Sequence, residues 1–221
     1  MSFEQQIEVN GETLMLDRSG ALWWPSERAL VFADMHFEKG SFYGFTGQLL
    51  PPYDTRTTLK RVAAAFDTYQ PALAIALGDS FHDRDAHNRL DDTEHAMLAD
   101  LGSRADWIWI SGNHDPALPQ WLSGRIADEI SIGGLTFRHE PSEFIGRGEI
   151  AGHLHPCKTV SRRGQSLRRR CFASDGMRLV MPAFGAYTGG LDVRDVAVRS
   201  LFAKSFLAYV LGRSRVFAVA A

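Results

Sequence analysis

The sequence predicts an α/β fold in which two β-sheets pack against each other with helices on the outside. Three short apolar runs each end abruptly in polar residues, which is typical of buried parallel strands. Helical segments separate these runs, so that strand, helix and strand alternate along the chain. From Ile130 onward the pattern changes to short strands, which favours a second, more antiparallel sheet. We therefore expect one domain, residues 1–221, built from two mixed sheets and flanking helices.

The first half of the chain predicts a hairpin followed by strands and helices. Alternating apolar residues flank Asn10-Gly11, a dipeptide that favours a tight hairpin turn. Two later segments repeat apolar residues at helical spacing and lie between the three apolar runs. The predicted strands are Ala29–Ala33, Leu73–Leu77 and Trp107–Ile110, and the predicted helices are Asp54–Tyr69 and Asp91–Leu101.

The second half predicts short strands and two hairpins. A last hairpin spans Ala208 to Val219, and an earlier one, at about 157–171, turns at Gly164. Cys157 and Cys171 each lie seven residues from Gly164, so they are expected to face each other across the paired strands. Two reduced thiols are favoured over a disulfide. The predicted strands are near 135–138, 149–151, 157–162, 168–173 and 178–181.

The composition excludes several classes of protein. The 221 residues are 45% hydrophobic and 23% charged, which argues against a disordered or fibrous chain. The stretches without ionisable residues are too short to cross a bilayer, and the first residues lack the pattern of a secretory signal. Two cysteines are too few for a disulfide framework or a cysteine zinc site. We therefore expect a cytoplasmic protein without a membrane partner.

Basic residues are concentrated in the hairpin at about 157–171. Six cations and no acid lie between Lys158 and Arg170, although the whole chain has a net charge of −2. The other 18 of the 24 cations stand against all 26 acids. Such a local concentration attracts a polyanion, and a solvated hairpin is the alternative. The cations are Lys158, Arg162, Arg163, Arg168, Arg169 and Arg170.

Carboxylate, amide and imidazole side chains follow the three predicted parallel strands. In open α/β sheets, functional groups gather beyond the carboxyl ends of such strands. Residues two apart on an extended segment project to the same side, so each pair in an Asp-x-His or His-x-His motif is expected to approach one site. Ligands of these types, without thiolate, suit Mn²⁺, Fe²⁺ or Zn²⁺ rather than Ca²⁺. The motifs are Asp34-Met35-His36, Gly78-Asp79, Gly112-Asn113-His114-Asp115, His139 and Gly152-His153-Leu154-His155.

These motifs, in this order, resemble those of the calcineurin-like metallophosphoesterase superfamily: DxH, GD, GNH followed by D or E, H and GHxH. The resemblance covers residues 34–155 and implies a four-layer α-β-β-α sandwich with two divalent ions. Mn²⁺ is the expected metal, and Fe²⁺ and Zn²⁺ are the alternatives. The resemblance implies that Asp34, His36, Asp79 and His155 hold one ion, and that Asp79, Asn113, His139 and His153 hold the other.

The same resemblance implies hydrolysis of a phosphodiester by a hydroxide that bridges the two ions. Two divalent ions balance the charges of Asp34, Asp79, the hydroxide and the phosphodiester, so the loaded site is neutral. His114 is left without a metal and, by resemblance, faces the leaving group as general acid. Asp115 is expected to orient the His114 imidazole, because a carboxylate partner fixes its tautomer.

Stretches outside the metal motifs resemble the bacterial DNA-ligase-associated phosphoesterases, which are DNA damage response endonucleases. That family implies a DNA repair nuclease functionally associated with a ligase, a helicase and a second nuclease. A related enzyme that cleaves a UDP-diacylglucosamine lipid precursor usually has Arg where this chain has His114, which argues against a lipid substrate. The alternatives are a phosphodiesterase or phosphatase for a small nucleotide-type substrate and a non-catalytic scaffold. The stretches are ADMHFEKGSFY, LPPYDTRTTLKRV, LGDSFHD, AGHLHP and MPAFGAYTGGLDV.

Several further residues are candidates for substrate contact. Lys39 and Arg56 are candidates for binding phosphate, with solvated surface positions as the alternative. His82 either lines the cleft or caps the loop that follows it. The hairpin cations Arg162, Arg163, Arg168, Arg169 and Arg170 complete the set.

Overall fold

Two β-sheets packed face to face form the centre of the molecule. Apolar residues of both sheets, among them Leu14, Ile75, Phe137 and Phe172, form one buried cluster between them. The predicted pair of mixed sheets with flanking helices is therefore confirmed. The computed structural model describes residues 4–45, 47–48, 50–51, 53–144, 146–162, 164–203 and 205–221.

The first sheet has seven strands in sequence order. Its first four strands pair antiparallel, and β4 to β7 pair parallel. The three predicted apolar strands lie at β4, β5 and β6, and the predicted hairpin turns at Asn10-Gly11. The strands are β1 (Gln5–Val9), β2 (Glu12–Leu16), β3 (Leu22–Trp24), β4 (Ala29–Phe32), β5 (Leu73–Leu77), β6 (Asp106–Ile110) and β7 (Arg125–Ala127).

The second sheet contains the strands of the C-terminal half. Its order is β15-β14-β12-β13-β10-β9-β8, with β11 paired to β12. Strand β10 pairs parallel with β9 and β13, and the other pairs are antiparallel. The strands are β8 (Glu129–Ile132), β9 (Leu135–Arg138), β10 (Glu149–Ala151), β11 (Cys157–Arg162), β12 (Gln165–Ser174), β13 (Arg178–Val180), β14 (Leu207–Leu211) and β15 (Val216–Ala220).

Helices cover the outer faces of the two sheets unequally. The first sheet is covered by α2 and α3, whose Leu59, Phe66 and Leu98 join Phe32 of β4 in a second buried cluster. The second sheet is covered by the short α4, by residues after it, and by loop residues such as Leu154 and Leu191, so the fourth layer contains little helix. The helices are α1 (Lys39–Phe45), α2 (Asp54–Tyr69), α3 (Asp92–Arg104) and α4 (Val196–Arg199), and Ala86–Asn88 forms one 3₁₀ turn.

Capping explains where α3 begins. Asp91 is its N-cap, because its side chain accepts a hydrogen bond from the Glu94 N–H at 2.8 Å. The Glu94 carboxylate accepts one from the Asp91 N–H at 3.0 Å, which completes a capping box. The helix therefore starts one residue later than predicted and continues to Arg104.

The register of the basic hairpin differs from the prediction. Arg162 pairs with Gln165, so Cys157 lies opposite Arg170 and not opposite Cys171. A shift of one residue moves a side chain to the other face of a strand. Cys171 instead pairs with Val210 of β14, and both cysteines are buried free thiols. The predicted cross-strand cysteine pair is therefore wrong.

Within the described part of the chain, no helix combines the length and apolar character needed to cross a membrane.

Candidate active site

The candidate site lies where both sheets end in polar loops. Asp34, Asp79 and Asn113 follow the parallel strands β4, β5 and β6 of the first sheet. His139 follows β9 and His153 follows β10 of the second sheet. Because the two sheets pack face to face, the five loops that carry these residues meet at one edge of the sandwich. We call these five segments the ligand loops.

Five of the predicted ligands have a left-handed backbone. Their φ angles lie between 45° and 68°, a region that residues other than glycine rarely adopt. Such conformations persist where the surrounding structure fixes them, often at functional sites. The expectation of extended Asp-x-His and His-x-His motifs is therefore wrong, since both ends of each motif have a left-handed backbone. The five residues are Asp34, His36, Asp79, His153 and His155.

Hydrogen bonds between the ligand loops hold these turns. Both carboxylate oxygens of Asp34 accept from the His153 N–H, at 3.1 and 3.0 Å. The His36 N–H donates to the carbonyl oxygen of Asp79 at 2.9 Å. The His114 N–H donates to Asp79 Oδ1, also at 2.9 Å. The two carboxylates expected to bind metal therefore also connect the loops.

Asp34, His36 and His155 form a first group of candidate ligands. One ligand atom from each residue lies within 4.8 Å of the others. His155 Nε2 is 3.2 Å from Asp34 Oδ1, and His36 Nε2 is 3.8 Å from Asp79 Oδ2. The structure thus brings together the four residues that the sequence predicts for one ion.

Asp79, His139 and His153 form a second group within the same limit of 4.8 Å. His139 Nε2 is 3.5 Å from Asp79 Oδ1, 3.2 Å from His153 Nδ1 and 2.9 Å from Asn113 Oδ1. The other ring nitrogen, Nδ1, is 3.0 Å from the carbonyl oxygen of Leu77. A nitrogen that faces a carbonyl carries the proton, so His139 Nε2 presents its lone pair to the other ligands.

The donor set fits divalent cations. His36 Nε2 and His155 Nε2 are buried and lack a hydrogen-bond partner among the described residues. Unpaired buried polar atoms are costly, so these two nitrogens need a ligand. Burial, and then the neighbouring His155, lower the pKa of His36 far below its ordinary value of 6.5. The imidazole therefore stays neutral, which is the form that binds metal.

Burial also shifts the pKa values of groups in the second cluster. It lowers the pKa of His153, with His139 as the next cause. It raises the pKa of the Asp79 carboxyl, although the nearby His139 opposes this. In the protein alone, these pKa shifts favour the neutral forms of His153 and Asp79. A divalent cation between them would stabilise the Asp79 carboxylate as an anion.

His114 lies beside both groups, and its side chain is more exposed than those of the histidine and aspartate ligands. Its Nε2 is 4.0 Å from Asp79 Oδ2, and 40% of its side chain is exposed. Its Nδ1 is 2.7 Å from the carbonyl oxygen of His82, and the two rings stack with centroids 5.2 Å apart. Donation from Nδ1 to this carbonyl leaves Nε2 directed toward the open side of the site.

Asp115 does not have the predicted contact with the His114 ring. Its Oδ1 accepts from the N–H groups of Gly112 and Asp79, and its Oδ2 accepts from Phe81, each at 3.0 Å. Burial raises the pKa of Asp115 to about 7, against the effect of these amide donors. Asp115 therefore holds the backbone of the ligand loops, and the His82 carbonyl orients His114.

His82 and Lys39 lie at the site, as the sequence suggested. The Nδ1 atoms of His82 and His36 are 3.4 Å apart, so His82 packs behind a candidate ligand. Lys39 begins α1 and is half-buried. Its charge helps to lower the pKa values of His36 and His82. Burial lowers the pKa of Lys39 itself, and Asp54 and then Asp79 oppose this effect.

Arg56 and the hairpin cations have other surroundings. Arg56 forms an ion pair with Asp91, which connects α2 to the N-cap of α3. Arg168 donates to the Gly190 carbonyl, and Arg169 lies opposite Lys158 in the hairpin. Arg163 lies outside the described residues, and only the backbone of Arg162 is described.

Arg170 is a structural residue. Its Nη1 donates to three consecutive carbonyls, those of Ala183, Phe184 and Gly185, at 2.7, 3.3 and 3.2 Å. Arg61 also donates to the Phe184 carbonyl, at 2.7 Å. The sequence suggested Arg170 as a substrate contact and did not identify Arg61, and the structure shows that both fix the segment beside Asp34. No short sequence motif indicates that an arginine donates to several backbone carbonyls in this way.

A second support for the site lies at the start of α2. Thr55 Oγ1 accepts from the Glu38 N–H at 2.7 Å and donates to Glu38 Oε1 at 2.8 Å. Asp54 accepts from the Gly40 N–H at 2.9 Å. Helix α2 therefore anchors the loop that follows His36. Asp54 and Thr55 lie in the first turn of α2 and do not cap it, so no capping signal in the sequence identifies this anchor.

Comparisons with known proteins agree with this geometry. The family model of the calcineurin-like phosphoesterases matches residues 27–165. The crystal structure of Pseudomonas putida nuclease MPE is 30% identical, with a TM-score of 0.77 over 98% of this chain and 100% of that chain. YfcE, a phosphoesterase from E. coli, is 14% identical, with a TM-score of 0.43 over 87% of this chain and 98% of that chain. No curated protein sequence matches the chain.

The family match covers more than half of the chain and includes all five motifs, among them those that contain Asp34 and Asp79. Residues of these motifs form two of the three clusters of candidate metal ligands among the described residues, and the third combines His36 and His114 with His82. The chain therefore belongs to the calcineurin-like phosphoesterase family and is a metal-dependent phosphoester hydrolase.

Proposed function

We propose that this chain is a dinuclear phosphodiesterase that acts as a nuclease on DNA. The observation that carries the proposal is the juxtaposition of two ligand clusters, one of Asp34, His36 and His155 and one of Asp79, His139 and His153, with His114 beside them in a third group with His36 and His82. The likeness to a nuclease over nearly the whole chain supports a nucleic acid substrate. A role in DNA repair, alongside a ligase, a helicase and a second nuclease, is the corresponding proposal for its partners.

Seven residues would hold the ions. Two bound divalent cations, with Mn²⁺ proposed, would neutralise phosphoryl charge and supply a water of lowered pKa. Asp79 is suited to the shared position, because its Oδ2 faces His36 and His114 while its Oδ1 faces His139. The proposed ligands are Asp34, His36, Asp79 and His155 for one ion, and Asp79, Asn113, His139 and His153 for the other.

His114 is the proposed general acid. Because its Nδ1 faces the His82 carbonyl at 2.7 Å, the proton for a leaving oxygen must come from Nε2 of the imidazolium. The partial exposure of this side chain leaves room for a substrate at Nε2. Lys39, whose charge reaches Asp79, is placed to favour an anionic substrate at the same opening.

The proposal is tested by hydrolysis assays over a series of divalent metals. The substrates are a generic phosphodiester, a phosphomonoester, single-stranded DNA, duplex DNA and RNA. We expect metal-dependent cleavage of the generic diester and of DNA, with slower cleavage of RNA and of the monoester. Turnover confined to the monoester or to a small nucleotide would contradict a nuclease. Failure to hydrolyse any phosphodiester would contradict the enzymatic role.

A further inference from the structure

Arginines from three separate hairpins surround a cavity of about 530 Å³. Within the described part of the chain its lining contains five arginines and no acid. Arg18 follows β2, Arg213 lies in the turn between β14 and β15, and the others belong to β12. We call this space the arginine cavity. Its lining arginines are Arg18, Arg168, Arg169, Arg170 and Arg213.

The arginines of the cavity differ in their hydrogen bonds, exposure and neighbours. Arg170 is held by the three carbonyls of residues 183–185, so it forms part of the wall. Arg18 and Arg213 are exposed, and Arg18 Nη1 is 3.3 Å from the Arg213 carbonyl. Arg169 lies directly opposite Lys158 in the strand register. Like charges opposite each other destabilise a strand pair, and a bound anion relieves that cost.

The arginine cavity neighbours the candidate active site through the segment 185–190. Gly190 accepts a hydrogen bond from Arg168 with its carbonyl, and a Cβ at Gly190 would lie 1.9 Å from the carbonyl oxygen of His155. One glycine thus separates a lining arginine from a candidate metal ligand. At the other end of this segment the Gly185 N–H donates to the Asp34 carbonyl at 3.1 Å. The segment 185–190 therefore connects the two places.

The opposite flank of the active site has the opposite charge. A cleft there is lined by Asn113 and His139 together with Asp128, Glu129 and Glu140. Its one arginine, Arg138, forms an ion pair with Glu129 at 2.5 Å. A polyanion is repelled on this flank and attracted on the other, because a cleft lined by one sign of charge focuses its field.

We propose that a nucleic acid strand leaves the metal ligands on the His155 side and places its backbone phosphates in the arginine cavity. This path rests on the proposed nuclease function. Arginine suits the role because its planar guanidinium binds phosphate oxygens in pairs. Arg18, Arg168, Arg169 and Arg213 provide the contacts, and Arg170 holds the wall.

The test compares Arg18→Ala/Arg213→Ala with the parent chain and with Arg125→Ala. Arg125 is exposed and lines a cleft with Leu73 and Asp106, the first residues of β5 and β6, so it lies at the opposite end of the sheet from the site. Binding of a fluorescent single-stranded oligodeoxynucleotide is measured by anisotropy in EDTA, where hydrolysis does not intervene, as a function of salt.

The double variant should bind roughly 10- to 30-fold more weakly at ~0.1 M salt, since each lost contact to single-stranded DNA lowers the salt slope by about 0.7. Arg125→Ala should stay within about two-fold of the parent. With metal present, the double variant should lose kcat/KM on long oligonucleotides and keep it on a dinucleotide, which is too short to reach the cavity.

Three outcomes would overturn the path. They are unchanged binding in the double variant, an equal loss in Arg125→Ala, and an equal loss of kcat/KM on the dinucleotide. Failure of the proposed function is separate from these, because it appears in the parent chain as an inability to cleave any oligonucleotide in the presence of metal.

Discussion

The ligand loops and the arginine cavity are built in opposite ways. The ligand loops combine buried side chains, left-handed backbone at residues such as Asp79, and hydrogen bonds from one loop to another. The arginine cavity is formed by exposed side chains, such as Arg18 and Arg213, on hairpins of regular geometry. The ligand loops hold side-chain atoms in fixed positions, and the arginine cavity supplies positive charge. Substitutions in the two regions should therefore differ in size and in what they affect.

Among variants that keep their metals, the largest loss of rate is expected when the proton donor in the ligand loops is removed. His114→Ala should lower kcat on a diester with a poor leaving group by ~10²–10⁴-fold, the range for general acid catalysis. A diester with an activated nitrophenolate leaving group needs no proton and should lose far less. Both substrates are measured under steady-state conditions at saturating metal. Equal losses on the two substrates would contradict the assignment of His114.

A glycine in the ligand loops should tolerate no side chain. A Cβ at Gly112 would lie 2.2 Å from the Asp79 amide nitrogen and 2.2 Å from Asp79 Oδ1. Gly112→Ala should therefore displace this carboxylate and lower kcat/KM by ~10²-fold, the effect expected of a small misplacement. Gly44→Ala in α1 is the control, because nothing lies within 4 Å of a Cβ there. Equal activity of the two variants would show that the ligand loops can shift to accept a methyl group without loss of function.

A smaller effect concerns the pH dependence of stability. Burial lowers the pKa of His82 from 6.5 to about 4, with Lys39 and His114 as further causes. Between these values the unfolded chain binds a proton that the folded chain does not, so the His82 contribution to stability is lost as pH falls below 6.5. Relative to His82→Gln, the parent should lose about 2 kcal/mol of unfolding free energy between pH 7 and pH 5.

Urea unfolding of the metal-free protein at both pH values measures this difference. Because both chains share their other titrating groups, the comparison isolates His82. A free-energy difference that is constant with pH would contradict a neutral, buried His82.

The smallest effect is expected in the basic hairpin. Gly164 has φ +76° in its turn, and nothing lies within 4 Å of a Cβ built there. Gly164→Ala should therefore cost only about 1 kcal/mol of stability, the cost of a left-handed alanine. Hydrolysis of a generic diester should be unchanged. A loss of that activity would mean that the hairpin also shapes the ligand loops.

Much of the fold was predictable because three neighbouring strands of the first sheet are each followed by a contiguous motif. The runs that became β4, β5 and β6 are apolar and short, and their carboxyl ends bring Asp34, Asp79 and Asn113 to one edge. Strands β3 and β7 were not among the predicted strands, although β10 and β13, which are equally short, were. The helix α1 was also missed, since Lys39–Phe45 contains two glycines and lacks apolar spacing.

The hydrogen-bond partners of side chains were less predictable from the sequence than the positions of the residues in the fold. Asp115 stands next to His114 in the chain, yet its oxygens bind backbone amides, because the loop turns between the two side chains. The arginine cavity was visible only in part, as the run ending at Arg170. Arg18 and Arg213 are separated from that run by long stretches of sequence, and only the packing of three hairpins brings them together.

The central claim is that Asp79 is shared by two metal sites that serve phosphodiester hydrolysis. Metal bound per chain, measured by mass spectrometry after dialysis against Mn²⁺, tests it most directly when parent, His114→Ala and Asp79→Ala are compared. We predict two ions per chain for the parent and for His114→Ala, and loss of metal together with activity for Asp79→Ala. One ion in the parent, or two ions retained in Asp79→Ala, would contradict the account.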